Sequence, residues 1–386
     1  MSCSDPSDQF GGASSSIWIP RASRGMTALR FSFVRSNSES AMLEFFVLLC
    51  TFCLTYTGGR DILYAMRRCF WTFGIVIALF LCPAAGFSFE GPFQVKNQFP
   101  LFLYLNAPVV ESAVNESSFS LNVSHSSMFM IESSEDWTIN LDMEVTELNL
   151  KYKRNIPNFF EIGVEVPVLN FSSGFMDGLL NSYHDAFGFP DYGRETRPEN
   201  EFLYEVKKNG SAVAKAEDGR IGLGDIRLSI KRELIKGDPH ISVKANIEIP
   251  TGKASRGFGN GSIDGGIALL VDKRLGDKFN LYVNSGIVFP GDLHAERTVR
   301  LKEYFYAGAA VEAALLKNFS LLGQVSFQSS PFPRTGIGPV DRTAALLTFG
   351  GRYGTGKDSL EFSLTEDPNT AGAPDVIFNL SYKKKF

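Results

Sequence analysis

The sequence predicts an all-β protein: an antiparallel transmembrane β-barrel of about twelve strands with one long, partly helical extracellular loop. Three observations carry this. From Phe119 onward, alternating apolar and polar runs follow one another almost without pause, and side chains alternate across a strand with period two. The connections between these runs alternate between short and long. A short secretory leader precedes them, and the chain ends on an amphipathic strand closed by Phe386.

Composition narrows the class first. The 386 residues carry a formal net charge of −4, and the pI is about 5.7, so there is no basic footprint for nucleic acid. All five cysteines, Cys3, Cys50, Cys53, Cys69 and Cys82, precede residue 83. The rest of the chain has neither a disulfide framework nor thiol chemistry. Cys50 and Cys53 form a C-x-x-C, but in an apolar run without partner ligands, so no metal and no cofactor is expected.

Met66-Arg67-Arg68 followed by the apolar run Cys69–Ala85 has the basic start, short hydrophobic core and small-residue end of a signal peptide. It covers 66–88, and the mature chain should begin between Phe87 and Phe89. Leu81 stands before Cys82 where a lipidation site needs a small residue. Residues 1–65, Ser-rich and then apolar over Met42–Tyr56, read as an over-extended or disordered N-terminus, with Met66 the initiator. The rival reading makes 42–56 and 69–85 two membrane anchors, but both are short for spanning helices. Past the signal no apolar run could cross a bilayer as a helix, so a membrane-resident chain must cross as a barrel.

Residues 89–117 form an apolar arm, long enough to thread a lumen or pack beneath a barrel, and the barrel itself occupies 118–386. The expected strands are 119–131, 137–153, 158–169, 221–233, 240–249, 263–275, 278–289, 302–315, 319–329, 342–354, 357–366 and 375–386. His240–Pro250 is the clearest: Ile241, Val243, Ala245, Ile247 and Ile249 share one face, and His240, Ser242, Lys244, Asn246 and Glu248 the other. In 137–153 the apolar set changes phase after Val145, as a one-residue bulge would produce. Long loops at one rim and tight turns at the other are the asymmetry of outer-membrane barrels. The long connection 170–220 has internal structure. Phe175, Leu179, Tyr183 and Phe187 recur at helical spacing, and Asn209-Gly210 suits a tight I′ hairpin turn.

The last strand, Asp375–Phe386, carries Phe378, Leu380, Tyr382 and terminal Phe386 on one face. It resembles the C-terminal signature by which bacterial outer-membrane barrels are recognised for assembly, with Lys384 departing from that pattern. The expected partners are therefore outer-membrane lipid and the barrel-assembly machinery, with oligomeric state left open. Asn97-Gln98-Phe99-Pro100-Leu101, Gly174-Phe175-Met176-Asp177, Tyr183-His184, Phe187–Arg194, Gly222-Leu223-Gly224-Asp225 and Pro250-Thr251-Gly252 look like an uncharacterised family of bacterial proteins. That family, domain of unknown function family 3187, is presumed to form outer-membrane barrels, and the resemblance spans about residues 90–386. It implies envelope location and a barrel fold, and supplies no substrate.

Candidate chemical groups lie on the polar strand faces and in the long loop. Asp225, Arg227, Lys231, Lys244, Glu248, Asp264, Asp272 and Arg274, with Asp142, Glu144, Glu161 and Glu165, read as a lumen lining of mixed sign. Such charges would pair internally and narrow any pathway. In the long loop, Asp177, His184, Asp191, Tyr192 and Arg194 are the candidates for a site, against the plainer reading of a folded lid with a solvated charged side. A hydrolase would need a serine–histidine pair held by a third polar group. His125-Ser126-Ser127 offers the residue types, but adjacent residues point to opposite faces. The resulting expectation is a narrow or gated conduit for small solutes or amphiphiles. The alternatives are a non-transporting structural or surface-interaction barrel and, less favoured, an outer-membrane lipid hydrolase.

Overall fold

The computed structural model describes residues 89–103, 108–188 and 193–386. The expected signal peptide, 66–88, and residues 1–65 lie outside the described residues. Among the described residues there are seventeen strands: β1 (Ser118–Ser133), β2 (Trp137–Ile156), β3 (Phe160–Ser172), β4 (Leu203–Lys208), β5 (Ser211–Ala214), β6 (Arg220–Leu223), β7 (Ile226–Ile235), β8 (His240–Ile249) and β9 (Asp264–Arg274). The series continues with β10 (Phe279–Phe289), β11 (Leu293–His294), β12 (Thr298–Val299), β13 (Tyr304–Leu316), β14 (Phe319–Gln328), β15 (Ala344–Thr355), β16 (Asp358–Glu366) and β17 (Val376–Lys385). Short helices are α1 (Pro100–Leu103), α2 (Asp177–Phe187) and α3 (Gly338–Asp341).

Twelve of these strands close on themselves. Each pairs antiparallel with the next, and β17 pairs with β16 on one side and β1 on the other. No edge is left within the wall, the condition for placing backbone in hydrocarbon. The outward face is apolar and exposed, as at Leu228, Ile230, Ile247, Ile267, Leu269, Phe362 and Leu380. Aromatic residues ring it at both ends. Tyr152 stacks on Phe386 near the tight turns, with ring centroids 5.9 Å apart, and Phe289, Phe305 and Phe327 are exposed toward the long loops. No helix among the described residues is long and apolar enough to cross a membrane, which says nothing of strands.

Two details differ from the expected strands, each for a physical reason. The pairing of β2 with β1 and β3 is unbroken from end to end, so the phase change after Val145 is not a bulge. Trp137, Ile139, Leu141, Met143 and Val145 continue the inward face of Glu147, Lys151 and Lys153. What inverts is polarity. Below Val145 the outer face meets the apolar belt, and above it the inner face packs an apolar core. The second difference splits 221–233. β6 pairs with the upper part of β3 and β7 with the lower part. Pro167 of β3 lacks the N–H a ladder needs, and the break at Gly224-Asp225 falls opposite it, where Gly224 N–H donates to the Pro167 carbonyl at 2.9 Å.

β4 and β5 form a hairpin about Asn209 and Gly210, both with positive φ, and β4 extends the sheet along the top of β2. With the loops after β8, β10 and β14 it folds over the barrel mouth. A buried apolar core there joins Phe99 and Leu101 of the arm to Trp137, Phe171, Tyr204, Phe258, Leu301 and Phe332.

Outside and inside are separable by one substitution pair. Ile247 is 43% exposed on the outer face and Glu248 is 3% exposed inside. Ile247→Lys should cost about 2–4 kcal/mol near the bilayer midplane, read from urea unfolding in detergent or lipid. Glu248 pairs with Arg227 at 2.9 Å, so Glu248→Lys should also destabilise, by leaving two buried cations facing each other. A tolerated Ile247→Lys would mean that this face does not meet lipid.

Candidate functional site: a lumen occupied by the arm

The lumen is filled by residues 89–103, which enter at the tight-turn rim and rise toward the mouth, and by 108–117, which descend to β1. On the upward pass the Glu90 and Gly91 N–H groups donate to the Glu312 carboxylate, and Phe89 lies against Arg274. Gln94 accepts from Lys151 at 2.9 Å. Lys96 pairs with Glu147 at 2.6 Å, and Asn97 donates to the Gly372 carbonyl at 2.7 Å. On the downward pass Glu111 accepts from Lys151 at 2.6 Å and Lys244 at 2.9 Å, with Lys153 at 3.6 Å. Ser112 Oγ and the Ala113 N–H donate to Asp272. Lys231 Nζ donates to the carbonyls of Ser112 and Val114. The Glu116 N–H donates to Glu161 at 2.7 Å.

Apart from the Gly372 carbonyl, which belongs to the loop before β17, each contact needs a strand residue of inward parity, which the period of two supplies. The arm's backbone cannot pair with a sheet already closed, so its N–H and C=O groups must find side chains. Charged side chains are suited to this, because charge-assisted hydrogen bonds are the stronger ones.

The residues expected to line the lumen divide into four groups. Arg227, Lys231, Lys244, Glu248 and Asp272 are inside the wall and pair with one another or with the arm. Asp225 and Asp264 sit at the mouth instead, where they hold loops. Asp225 accepts from the Gly252 and Asn260 N–H groups, and Asp264 from the Asn260 amide and the Gly291 N–H. Arg274 is exposed at the tight-turn rim. Asp142 and Glu144 are not in the lumen at all: they point outward above the apolar belt and are buried under the long loop.

That loop packs on the outer wall. Glu144 accepts from the Phe175 and Met176 N–H groups just before α2, and His125 lies 2.7 Å from Glu144 and 2.8 Å from Thr146. Met176 and Leu180 are buried against Val376 of β17. Asp177 and Arg194 meet at 2.5 Å, and Arg194 also pairs with Asp375. These two residues therefore clamp the loop to the closing strand. Asp191 and Tyr192 lie outside the described residues, and His184 is placed only by its position within α2. Hydroxyl, imidazole and carboxylate do meet at Thr146, His125 and Glu144, but Glu144 is committed to the backbone before α2, and the adjacent Ser126 faces inward. Among the described residues no group of three or more His, Cys, Asp or Glu is placed to hold a metal ion.

The most informative luminal residues are ones the alternation alone does not single out. Glu111, Lys151, Lys153, Arg352, Glu312 and Glu361 are all buried. Arg352 donates to Glu361 at 2.9 Å, to Glu312 at 2.7 Å and to the Gly91 carbonyl at 2.6 Å. The available signal is charge within the arm (Lys96, Glu111 and Glu116) facing strands with inward charge of both signs.

The mouth loops should be pH-sensitive. Burial pushes the Asp225 carboxyl up to about 6, against the lowering effect of its backbone hydrogen bonds. The Asp367 carboxyl, which holds the Asn369 and Ala371 N–H groups, rises to about 6 for the same reason. An acid raised on folding binds more protons folded than unfolded between about pH 4 and 6, so stability falls as pH rises through that window. Hydrogen exchange across 252–260 and 369–371, corrected for intrinsic rates, should be slower at pH 5 than at pH 7.5. Asp225→Asn should remove the difference in the first segment only.

None of the curated proteins is a match to the sequence. Among solved structures, the chain is similar to the COG4313 outer membrane channel from Pseudomonas putida F1, at 15% identity over 73% of this chain and 98% of that one, with a TM-score of 0.48. It is also similar to the NanC porin (8% identity, 69% and 100% covered, TM-score 0.41). A third is the toluene transporter TodX from Pseudomonas putida (10% identity, 78% and 100% covered, TM-score 0.37). The architecture stands on the strand pairing itself. The model of the protein family of unknown function DUF3187 matches residues 73–386, which takes in both the arm and the entire barrel, and the protein belongs to that family.

Proposed function

We propose that this is an outer-membrane barrel acting as a narrow, gated conduit for small solutes or amphiphiles, with the arm 89–117 as its gate. One observation carries the reading: both passes of the arm run inside the wall and are held there by polar and ionic contacts. A purely structural barrel gains more from an apolar filling, since buried ion pairs can be replaced by packed apolar residues at little or no loss. Polar contacts can be exchanged for water and solute. The tight-turn rim, where both chain termini of the arm–barrel unit lie, is assigned to the periplasm. The apolar face of β17 is assigned to lipid and to recognition by the assembly machinery.

The apolar core over the mouth favours the second reading, a non-transporting barrel whose product is its folded surface loop. Planar-bilayer recording separates the two. A gated conduit gives brief, small openings that lengthen when the downward pass is loosened by Asp272→Asn with Lys231→Met. A barrel that stays silent in both forms, while folded by heat-modifiable gel mobility, is not a conduit.

A further inference from the structure

The two sides of the lumen differ in chemistry. The side built by β2, β3, β7 and β8 is charged and holds the arm. The opposite side, β14 to β17 and round to β1, is a strip of hydroxyl and amide groups. Register places them side by side: Gln324 opposite Thr348, Gly350 opposite Ser363, Ser363 opposite Asn379, and Asn379 opposite Ser124. Gln324, Ser363 and Asn379 are each 3% exposed or less. Yet the Gln324 Oε1, Ser363 Oγ and both polar atoms of Asn379 have no hydrogen-bond partner among the described residues.

The arm covers this strip with apolar side chains. Phe93 and Val95 cluster with Leu322 and Ile377, and the Phe93 ring lies 2.9 Å from where a Cβ on Gly350 would stand, beside Ser363. The arm is fastened above and below this point, at Gly91, Gln94 and Asn97. Buried polar groups without partners are costly, so Phe93 and Val95 are a poor cover for the strip. A solute carrying donors and acceptors is a better one.

Resting on the conduit reading, we propose that this strip is the solute-binding wall of the pathway, exposed when Phe93 and Val95 lift away, and that it takes small uncharged polyhydroxy solutes. Its charged members are all paired, Arg352 with Glu361 and, lower on β17, Lys383 and Lys385 with Glu90 and Glu116 of the arm, which leaves a wall offering hydrogen bonds of both senses and little unpaired charge. Ions gain nothing from it, whereas a polyol can satisfy it.

The test uses the full mature chain in proteoliposomes, with arabinose as the uncharged probe and potassium chloride conductance as the ionic one. Ser363→Ala with Asn379→Ala should lower arabinose-driven swelling about tenfold, the weight of ~1.4 kcal/mol, and leave ionic conductance unchanged. Because the atoms removed have no partners, the variant should resist denaturant at least as well as wild type. Gln324→Met, tested alone, should act in the same direction. Unchanged arabinose flux in both variants overturns the proposal, as does a fall in both fluxes together with lower stability, which would make the strip part of the fold. Wild-type protein that conducts ions but excludes arabinose overturns the solute class and leaves the conduit standing. Wild-type protein that passes neither defeats both.

Discussion

Glu111→Gln should free the arm and destabilise the barrel by about 3–5 kcal/mol, the usual cost of removing one partner from a buried charge cluster. Glu111 is 1% exposed and is shared by Lys151, Lys153 and Lys244. Lys151 and Lys153 keep second carboxylates at 3.7 Å, Glu165 and Glu161. The ion pair of Lys244 is with Glu111, so that ammonium bears most of the loss. Unfolding followed by gel mobility gives the stability change, and protease sensitivity of 89–103 reports release of the arm. Glu111→Gln with Lys244→Met should recover part of the stability, because removing both partners of a buried pair costs far less than removing one. No recovery would mean that the effect comes from the arm's backbone and not from the stranded lysine.

Arg352→Met should be as damaging, again about 3–5 kcal/mol. The guanidinium is fully buried and holds two carboxylates and a backbone carbonyl at once. Without it, Glu312 and Glu361 face each other unneutralised, and the start of the arm loses the bond at Gly91. Glu312 also takes the Tyr282 hydroxyl at 2.7 Å, so the disturbance should spread to β10. Arg352→Lys should rescue little, since a single ammonium cannot span three acceptors set for a planar fork. Near-complete rescue by lysine would show that charge alone matters there. Both losses should equal or exceed that of Ile247→Lys, because the inner contacts fasten arm and wall together.

Much of this was legible in the sequence. A strand between lipid and a polar interior must alternate, and His240–Ile249 does so over its whole length. The tight turns and the closing strand follow from the same pattern. Where the environment stops being lipid, alternation misleads. Above Val145 the strands leave the apolar belt, the inner face becomes the apolar one, and Asp142 and Glu144 read as luminal although they face outward. The break at Gly224-Asp225 depends on Pro167, 57 positions earlier in the chain, and no local pattern reveals that. Site residues were less legible still. Arg194 and Asp177 read as candidates for chemistry, yet they meet to clamp the loop on Asp375. Arg352, which holds two carboxylates, a backbone carbonyl and the Phe93 ring, lies in a stretch rich in glycine and hydroxyl residues that gives no hint of a buried cation. Its partners come from β13, β16 and the arm, a convergence that only the closed cylinder produces.

The arm inside the lumen is the feature on which everything else depends, and one measurement reaches it directly. No cysteine follows residue 82, so in protein produced from Phe89 onward Val95→Cys would be the single thiol, at a position 5% exposed and packed on Leu322 and Ile377. In folded protein reconstituted in vesicles, a membrane-impermeant maleimide should modify this site far more slowly than a control at exposed Glu199→Cys. The two should react alike after denaturation. Slow labelling that quickens in the Glu111→Gln background is the result expected of a gate held by its luminal contacts. Labelling of Val95→Cys as fast as the exposed control, in barrels shown to be folded, would mean that the lumen is not filled by the arm.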